Sequence, residues 1–254
     1  MLNLTQNFTV IAGPCAIESL NGLLQVAAAV KSAGAAVLRG GAFKARTNPR
    51  DFDGLKAEGI AYLLEAKQRT GMPVCTEMLS KADAPLFDGV DIIQIGCRNM
   101  QNTALLHAAA ELGKPIMLKR GFASTVEELL LSAERLTGRG AKQVILCERG
   151  IRTFEPSTRF TLDLGAVAVL KQRTDLPVFV DPSHAAGKAS LVAPLAMAAV
   201  AAGADGLMLE VHHNPKTAKS DAAQALSTAE FEALMQKLPR LRSAVTASGQ
   251  GSGH

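Results

Sequence analysis

Short apolar runs rich in β-branched residues recur along the whole chain, and the stretches between them carry the 3.6-residue spacing of amphipathic helices. The runs are Phe8–Gly13, Ala36–Gly40, Val74–Met78, Ile92–Gly96, Ile116–Arg120, Val144–Arg149, Val178–Asp181 and Gly206–Val211. Near-continuous apolar character, rather than strict alternation, is what strands covered on both faces require. The intervening periodicity predicts helices near Leu20–Ser32, Phe52–Arg69, Lys81–Phe87, Thr103–Leu112, Thr125–Leu136, Thr158–Arg173, Ala189–Ala202 and Thr228–Leu241. Eight βα repeats with no inserted block predict an α/β fold, a (β/α)8 TIM barrel.

Punctuation along the chain agrees with that reading. Thr125 and Glu128 have the spacing of a capping box, and Gly34, Gly71, Gly113 and Gly203 stand where helices should stop. Pro73, Pro115 and Pro177 lead into strands. Leu191 to Leu209 is almost wholly apolar and approaches the length of a membrane span, but Pro194, Gly203, Asp205 and Gly206 divide it into a buried helix and a following strand. The expected organisation is one barrel domain over residues 1–247 and a small, polar, disordered tail over 248–254. No cationic segment with an apolar core opens the chain, so we expect no signal peptide and a cytoplasmic protein.

In a barrel of this kind the C-terminal strand ends face the active site. Here they carry Cys15, Arg39 and Lys44, Glu77, Cys97 and Arg98, Lys119 and Arg120, Glu148 and Arg149, Asp181 to His184, and Glu210 to His212. Charge used only for solubility would scatter over helix surfaces, so this one-sided placement points to an enzyme. The net charge is +4, with no Trp, one Tyr and 4% aromatic residues. Bases would find little to stack on, which argues against nucleic acid and for anionic metabolites. The four cysteines form no CxxC pair, which excludes a zinc ribbon or a disulfide scaffold and leaves reduced thiols.

The rim residues fall into two sets. Arg39, Lys44, Arg46, Arg98, Lys119 and Arg149, with Thr47, offer more cationic donors than one phosphate needs, so two anionic substrates or a doubly charged one are implied. Gly40 and Gly41 would let a ligand approach the backbone of the first cationic turn. The competing readings are a solvated basic loop, and cations that pair with Glu77, Glu148 or Asp181 inside the barrel. The second set, Cys15, His184, Glu210 and Asp221, suits one divalent metal ion per chain, and its softness does not choose among Mn, Fe, Co and Zn. His212 and His213 compete for the ligand role, and Cys15 alone also reads as an inert buried thiol.

Ala12 to Ser19, Leu38 to Thr47, Gln94 to Asn102, Leu118 to Gly121, Cys147 to Gly150 and Asp181 to His184 together resemble the 3-deoxy-D-arabino-heptulosonate 7-phosphate synthases, in their short type I-beta form, over roughly residues 8–240. The resemblance implies a metal-dependent TIM barrel that condenses phosphoenolpyruvate with erythrose 4-phosphate and releases phosphate, at the entry to the shikimate pathway and aromatic amino-acid biosynthesis. It implies that Cys15, His184, Glu210 and Asp221 hold the metal, that Arg39 and Lys44 take the phosphoenolpyruvate carboxylate, and that Arg98, Lys119 and Arg149 take its phosphate. Arg46 and Thr47 would meet the sugar phosphate, and Lys44 would donate a proton to the forming hydroxyl. A homotetramer or dimer, with no nucleic-acid or membrane partner, is the expected assembly.

Three positions depart from the family pattern: Ala45 and His213 stand where proline is usual, and Cys97 where alanine is common. The first puts the loop's rigidity in question and the second substitution of interest, Cys97, the site's sensitivity to thiol reagents. The chain begins almost at its first strand, which leads us to expect insensitivity to aromatic amino acids, since many relatives are inhibited through an extra N-terminal domain. The alternative assignment is a 3-deoxy-D-manno-octulosonate 8-phosphate synthase using arabinose 5-phosphate, whose turn typically reads Lys-Ala-Asn-Arg-Ser where this chain has Lys44-Ala45-Arg46-Thr47. A Schiff-base aldolase through Lys119 and a non-catalytic anion- or RNA-binding barrel are the other readings; the latter leaves the Cys, His, Glu and Asp set unexplained.

Overall fold

All eight apolar runs form strands: β1 (Thr9–Gly13), β2 (Val37–Arg39), β3 (Val74–Glu77), β4 (Ile92–Ile95), β5 (Pro115–Lys119), β6 (Gln143–Glu148), β7 (Val178–Val180) and β8 (Gly206–His212). Each pairs in parallel with the next, and β8 returns to β1 through Thr9↔Gly206 to Gly13↔Glu210, so the ladder closes into a (β/α)8 barrel. The structure, a computed structural model, describes residues 8–45, 50 and 52–249. A short strand that the sequence did not announce, β9 (Leu226–Ser227), adds to the far end of β8 through Val211↔Leu226.

The helices are α1 (Leu20–Ser32), α2 (Ala57–Thr70), α3 (Thr103–Ala110), α4 (Val126–Thr137), α5 (Leu164–Arg173), α6 (Pro182–Ala186), α7 (Ala189–Ala201), α8 (Thr228–Met235) and α9 (Leu238–Gly249). Thr125 and Glu128 do form the capping box of α4. Gly34, Gly71, Gly113 and Gly203 all adopt positive φ at helix ends. Where the elements differ from expectation, a local cause is visible. Lys81–Phe87 is a 3-10 helix, because Pro85 inside it has no N–H to give an α-type bond. The helix expected from Thr158 starts only at Leu164, where the Asp163 side chain accepts from Ala166 N. The last predicted helix divides into α8 and α9, with Pro239 in the first turn of the second. Contrary to the expected tail, residues 248 and 249 close α9, whose Leu238 is buried in the core; residues 250–254 lie outside the described residues. The apolar segment from Leu191 resolves into α7 and β8, but α7 buries one face, Val192, Ala196, Ala199 and Val200, and not its whole surface. Among the described residues no helix is long and apolar enough to cross a membrane.

Side-chain alternation along the strands places the site. One apolar cluster fills the barrel interior: Ile11, Val37, Cys75, Ile92, Met117, Ile145, Cys147, Phe179 and Met208. Their strand neighbours, such as Val10, Leu38, Val74 and Leu207, pack outward under the helices. Because strand side chains repeat every two residues, the residue two steps beyond an inner one emerges at the barrel mouth. Arg39, Glu77, Gln94, Lys119, Arg149, Asp181 and Glu210 stand at those steps. Arg120 and Glu148 are one step out of phase and turn to the other face. There Arg120 Nη1 lies 2.9 Å from Glu148 Oε2 and 2.8 Å from Asp163 Oδ2, binding the ends of β5 and β6 to the start of α5. These two charges are structural, and of the paired cations at this end of the sequence motif only Lys119 faces the cleft.

Candidate active site and metal centre

The four sequence-predicted ligands converge. Donor atoms of Cys15, His184, Glu210 and Asp221 all lie within 4.8 Å of one another. Cys15 Sγ donates to Asp221 Oδ2 at 2.9 Å and stands 3.8 Å from His184 Nε2. That same Nε2 is 3.7 Å from Glu210 Oε2 and 3.9 Å from Asp221 Oδ2. The donor set fits a divalent metal on two further grounds: Glu210 Oε1 is fully buried with no hydrogen-bond partner among the described residues, and Asp221 holds a left-handed backbone at φ 55° and ψ 31°. A non-glycine residue keeps such a conformation only where its surroundings impose it, commonly at functional sites. The competing histidines are engaged elsewhere. His212 Nδ1 accepts from Asn214 N at 3.1 Å, its Nε2 faces Glu18 at 3.7 Å, and its ring packs on that of His213 at 4.4 Å.

Asp181, at the end of β7, organises the centre although sequence reasoning treated it only as a partner for a cation. Its Oδ1 accepts from His184 N at 2.9 Å and so caps α6. Its Oδ2 lies 2.8 Å from His184 Nδ1, off the straight hydrogen-bond line, and 2.5 Å from Lys119 Nζ. With Nδ1 turned toward Asp181, Nε2 is left facing the other ligands. The reading in which some cations pair inside the barrel therefore holds for Lys119. Burial would raise the Asp181 carboxyl, but His184 and Lys119 outweigh it and hold it well below the usual range.

Burial sets the protonation of the ligands. It pushes the Cys15 thiol up to about 12, with Glu210 adding to the effect, and lifts Glu210 to about 7, with Asp221 beside it. It lowers His184 to about 3, so this ring is neutral and able to coordinate. Asp221 is held low, since His184, Cys15, Lys44 and Arg159 together overcome its desolvation. A metal must take the deprotonated ligands. The metal-free site keeps one proton on Cys15 above about pH 7 and a second on Glu210 below it. Divalent-ion affinity is therefore expected to rise about tenfold per pH unit above neutrality and more steeply below it. Titrating Co²⁺ into the chelator-stripped protein at about pH 6 and pH 8 checks this; equal affinities at the two would contradict it.

Beside the ligands lies a polar cleft of about 170 Å³, lined among others by Arg39, Lys44, Arg98, Lys119, Phe122 and Arg149. Arg39, which lines the cleft, is 4% exposed, and its buried Nη1 has no hydrogen-bond partner among the described residues. Lys44 Nζ is 2.7 Å from Cys15 Sγ. Burial works against its charge, but Cys15 and Glu77 keep its pKa raised. Phe122 and Phe160 stack with centroids 4.9 Å apart, and Arg149 lies 4.1 Å over Phe160 while Arg98 lies 5.2 Å over Phe122. Aromatic faces thus aim two guanidiniums without consuming their hydrogen bonds. Gly40 and Gly41 are required by the chain itself: a Cβ at Gly41 would stand 2.3 Å from Cys15 O, and one at Gly40 2.9 Å from the Ile17 side chain. Arg46 and Thr47 lie outside the described residues. The side chains that sequence reasoning missed are Gln94, Phe122, Arg159, Phe160 and Gln224. Strand phase marks Gln94; Phe122, Arg159 and Phe160 sit on loops and Gln224 ends a single 3-10 turn, Ala222–Gln224, with no periodic signal.

A closed parallel barrel whose mouth sets four donors able to hold a metal ion beside a row of cations is the framework of a TIM-barrel enzyme. Residues 5–247 match the model of the DAHP synthetase I family, and the chain belongs to that family. It is 48% identical over 239 residues to the phospho-2-dehydro-3-deoxyheptonate aldolase of Thermotoga maritima, covering 94% of this chain and 71% of the relative. To the 2-dehydro-3-deoxyphosphooctonate aldolase of Syntrophobacter fumaroxidans it is 31% identical over 253 residues, covering 92% of this chain and 87% of the relative. The crystal structure of the Thermotoga maritima DAHP synthase superposes with a TM-score of 0.91 at 46% identity, covering 96% of this chain and 73% of that one.

Proposed function

We propose that this chain is a 3-deoxy-7-phosphoheptulonate synthase, which condenses phosphoenolpyruvate with erythrose 4-phosphate to 3-deoxy-D-arabino-heptulosonate 7-phosphate and phosphate. The observation that carries the reading is the barrel mouth, where four converging donors, two of them lining the cleft, stand beside Arg39, Arg98, Lys119 and Arg149. Family membership supports it, as does the identity of 48% to the heptonate enzyme against 31% to the octonate enzyme.

Arg39, buried with a free donor, takes the phosphoenolpyruvate carboxylate, and Arg98 and Arg149 take its phosphate from their aromatic platform. Lys119 reaches the same cleft while neutralised in part by Asp181. Arg46 and Thr47 meet the phosphate of the sugar. When bound by Cys15, His184, Glu210 and Asp221, a divalent Mn, Fe, Co or Zn ion supplies a Lewis acid for the aldehyde oxygen or positions a water. C3 of the enol phosphate attacks the aldehyde carbon and water adds at C2. The aldehyde oxygen becomes a hydroxyl, its proton given by Lys44, and the hemiketal phosphate at C2 expels inorganic phosphate. The protein works as a homotetramer or dimer in the cytoplasm on small-molecule substrates, without nucleic acid or membrane.

Phosphate release from phosphoenolpyruvate, with erythrose 4-phosphate or arabinose 5-phosphate in parallel, tests the assignment before and after EDTA and with Mn²⁺ restored. Release that favours erythrose 4-phosphate and needs the ion is the expected result. Preference for arabinose 5-phosphate would make the chain an octulosonate synthase, and release indifferent to EDTA would overturn the metal assignment.

A further inference from the structure

The cleft contains a long cation that the proposed chemistry leaves unused. Arg159 is carried by the loop between β6 and α5, and its Nη1 donates to Asp221 Oδ1 and to Gln224 Oε1, each at 2.9 Å. Gln224, 2% exposed, passes the connection on, donating from Nε2 to Glu210 Oε2 at 2.6 Å. The direction of this relay is fixed chemically. Arginine has no acceptor, so the glutamine must present its oxygen to Arg159, which leaves its amide N–H for the carboxylate.

The loop is itself held against the centre. Ile151 and Thr161 form an antiparallel bridge across it. Arg159 N and Phe160 N donate to Ala186 O and Ala185 O at 3.2 and 2.9 Å, which fastens the loop to α6, the helix bearing His184. A Cβ at Gly187 would stand 2.6 Å from Arg159 Cβ, so the glycine makes room for that approach. Asp221 is thereby gripped by Oδ1 and keeps Oδ2 toward Cys15, while Glu210 is held through Oε2, the oxygen that also stands 3.7 Å from His184 Nε2.

We propose that Arg159 and Gln224 are the positioning residues of the metal centre, one relay that fixes the orientation of both carboxylate ligands. The inference rests on the metal reading of the four-donor set. Outer hydrogen-bond partners of metal ligands commonly account for a 10- to 100-fold difference in affinity. Since Arg159 also borders the cleft, a role limited to holding a substrate anion is the rival, and it predicts no change in metal affinity when substrates are absent.

The test is Co²⁺ binding to the chelator-stripped, full-length protein without substrates, followed by chelator competition and by the visible absorption of the bound ion. Arg159→Ala and Gln224→Met are each expected to weaken Co²⁺ binding roughly 10- to 100-fold and to alter the visible bands, with Arg159→Lys recovering part of the loss. The double variant should lose less than the product of the single losses, because both changes cut one relay. Co²⁺ affinity and bands like those of the parent in both single variants overturn the proposal, as does a loss that appears only with a lowered melting temperature of the metal-free protein. A parent that binds no Co²⁺ would instead overturn the metal reading beneath it.

Discussion

Cys15→Ala is expected to lower phosphate release from phosphoenolpyruvate and erythrose 4-phosphate by at least about a thousandfold, the loss that several kcal/mol of Lewis-acid stabilisation implies. The thiol is the softest of the four donors and touches Asp221 on one side and Lys44 on the other. Its removal leaves three ligands and takes away the anchor that sets the Lys44 ammonium beside the reacting oxygen. Two readouts separate this from general damage. The residual activity should no longer respond to EDTA, and the metal content after dialysis should fall well below one ion per chain. Cys75→Ala is the control, since Cys75 lies in the barrel interior as a packing residue and belongs to no ligand set. If Cys75→Ala lost metal and Cys15→Ala retained it, the assignment would be wrong.

The second large effect falls on stability. Lys119 and Asp181 are 5% and 0% exposed, joined at 2.5 Å. Replacing Asp181 with asparagine leaves an ammonium buried without its counter-charge and removes the acceptor opposite His184 Nδ1. Breaking a buried pair from one side costs about 3–5 kcal/mol, which should appear as a lower urea midpoint. Adding Lys119→Met in the same chain should recover much of that loss, because the uncompensated charge is then gone. The pH dependence has a definite sign. The Asp181 carboxyl is depressed in the folded state, so its contribution is complete above the ordinary carboxylate value of about 3.9 and is lost as the pH falls toward the depressed one. Asp181→Asn should lack that part of the acid limb. An Asn variant within about 1 kcal/mol of the parent would show that the pair contributes little here.

Legibility in the sequence followed periodicity. The eight strands could be placed to within a residue or two because a strand buried on both faces must be apolar almost throughout. Alternation went further than it was used: Arg39, Lys119 and Asp181 stand two steps beyond Val37, Met117 and Phe179, whereas Arg120 and Glu148 stand one step off and belong to a structural cluster outside the barrel. The cations in the motif Lys119-Arg120 could have been divided on that ground alone. Helix starts were less secure, since Leu164 begins α5 only because Asp163 caps it there.

The sequence by itself determined the closed succession of βα units, the rim on which charge collects, and the residue types able to hold an ion and two anions. All of these follow from composition and from repeats of 2 and 3.6 residues. Tertiary structure alone decided which charges pair and which remain open to a substrate. Asp221 meets Cys15 across 206 positions, and Arg159 meets Asp221 across 62. Such distances are closed by the β1–β8 ladder and by loops whose backbone follows no period. Which side chains a loop brings together is fixed by what it packs against, and a linear pattern carries no record of that.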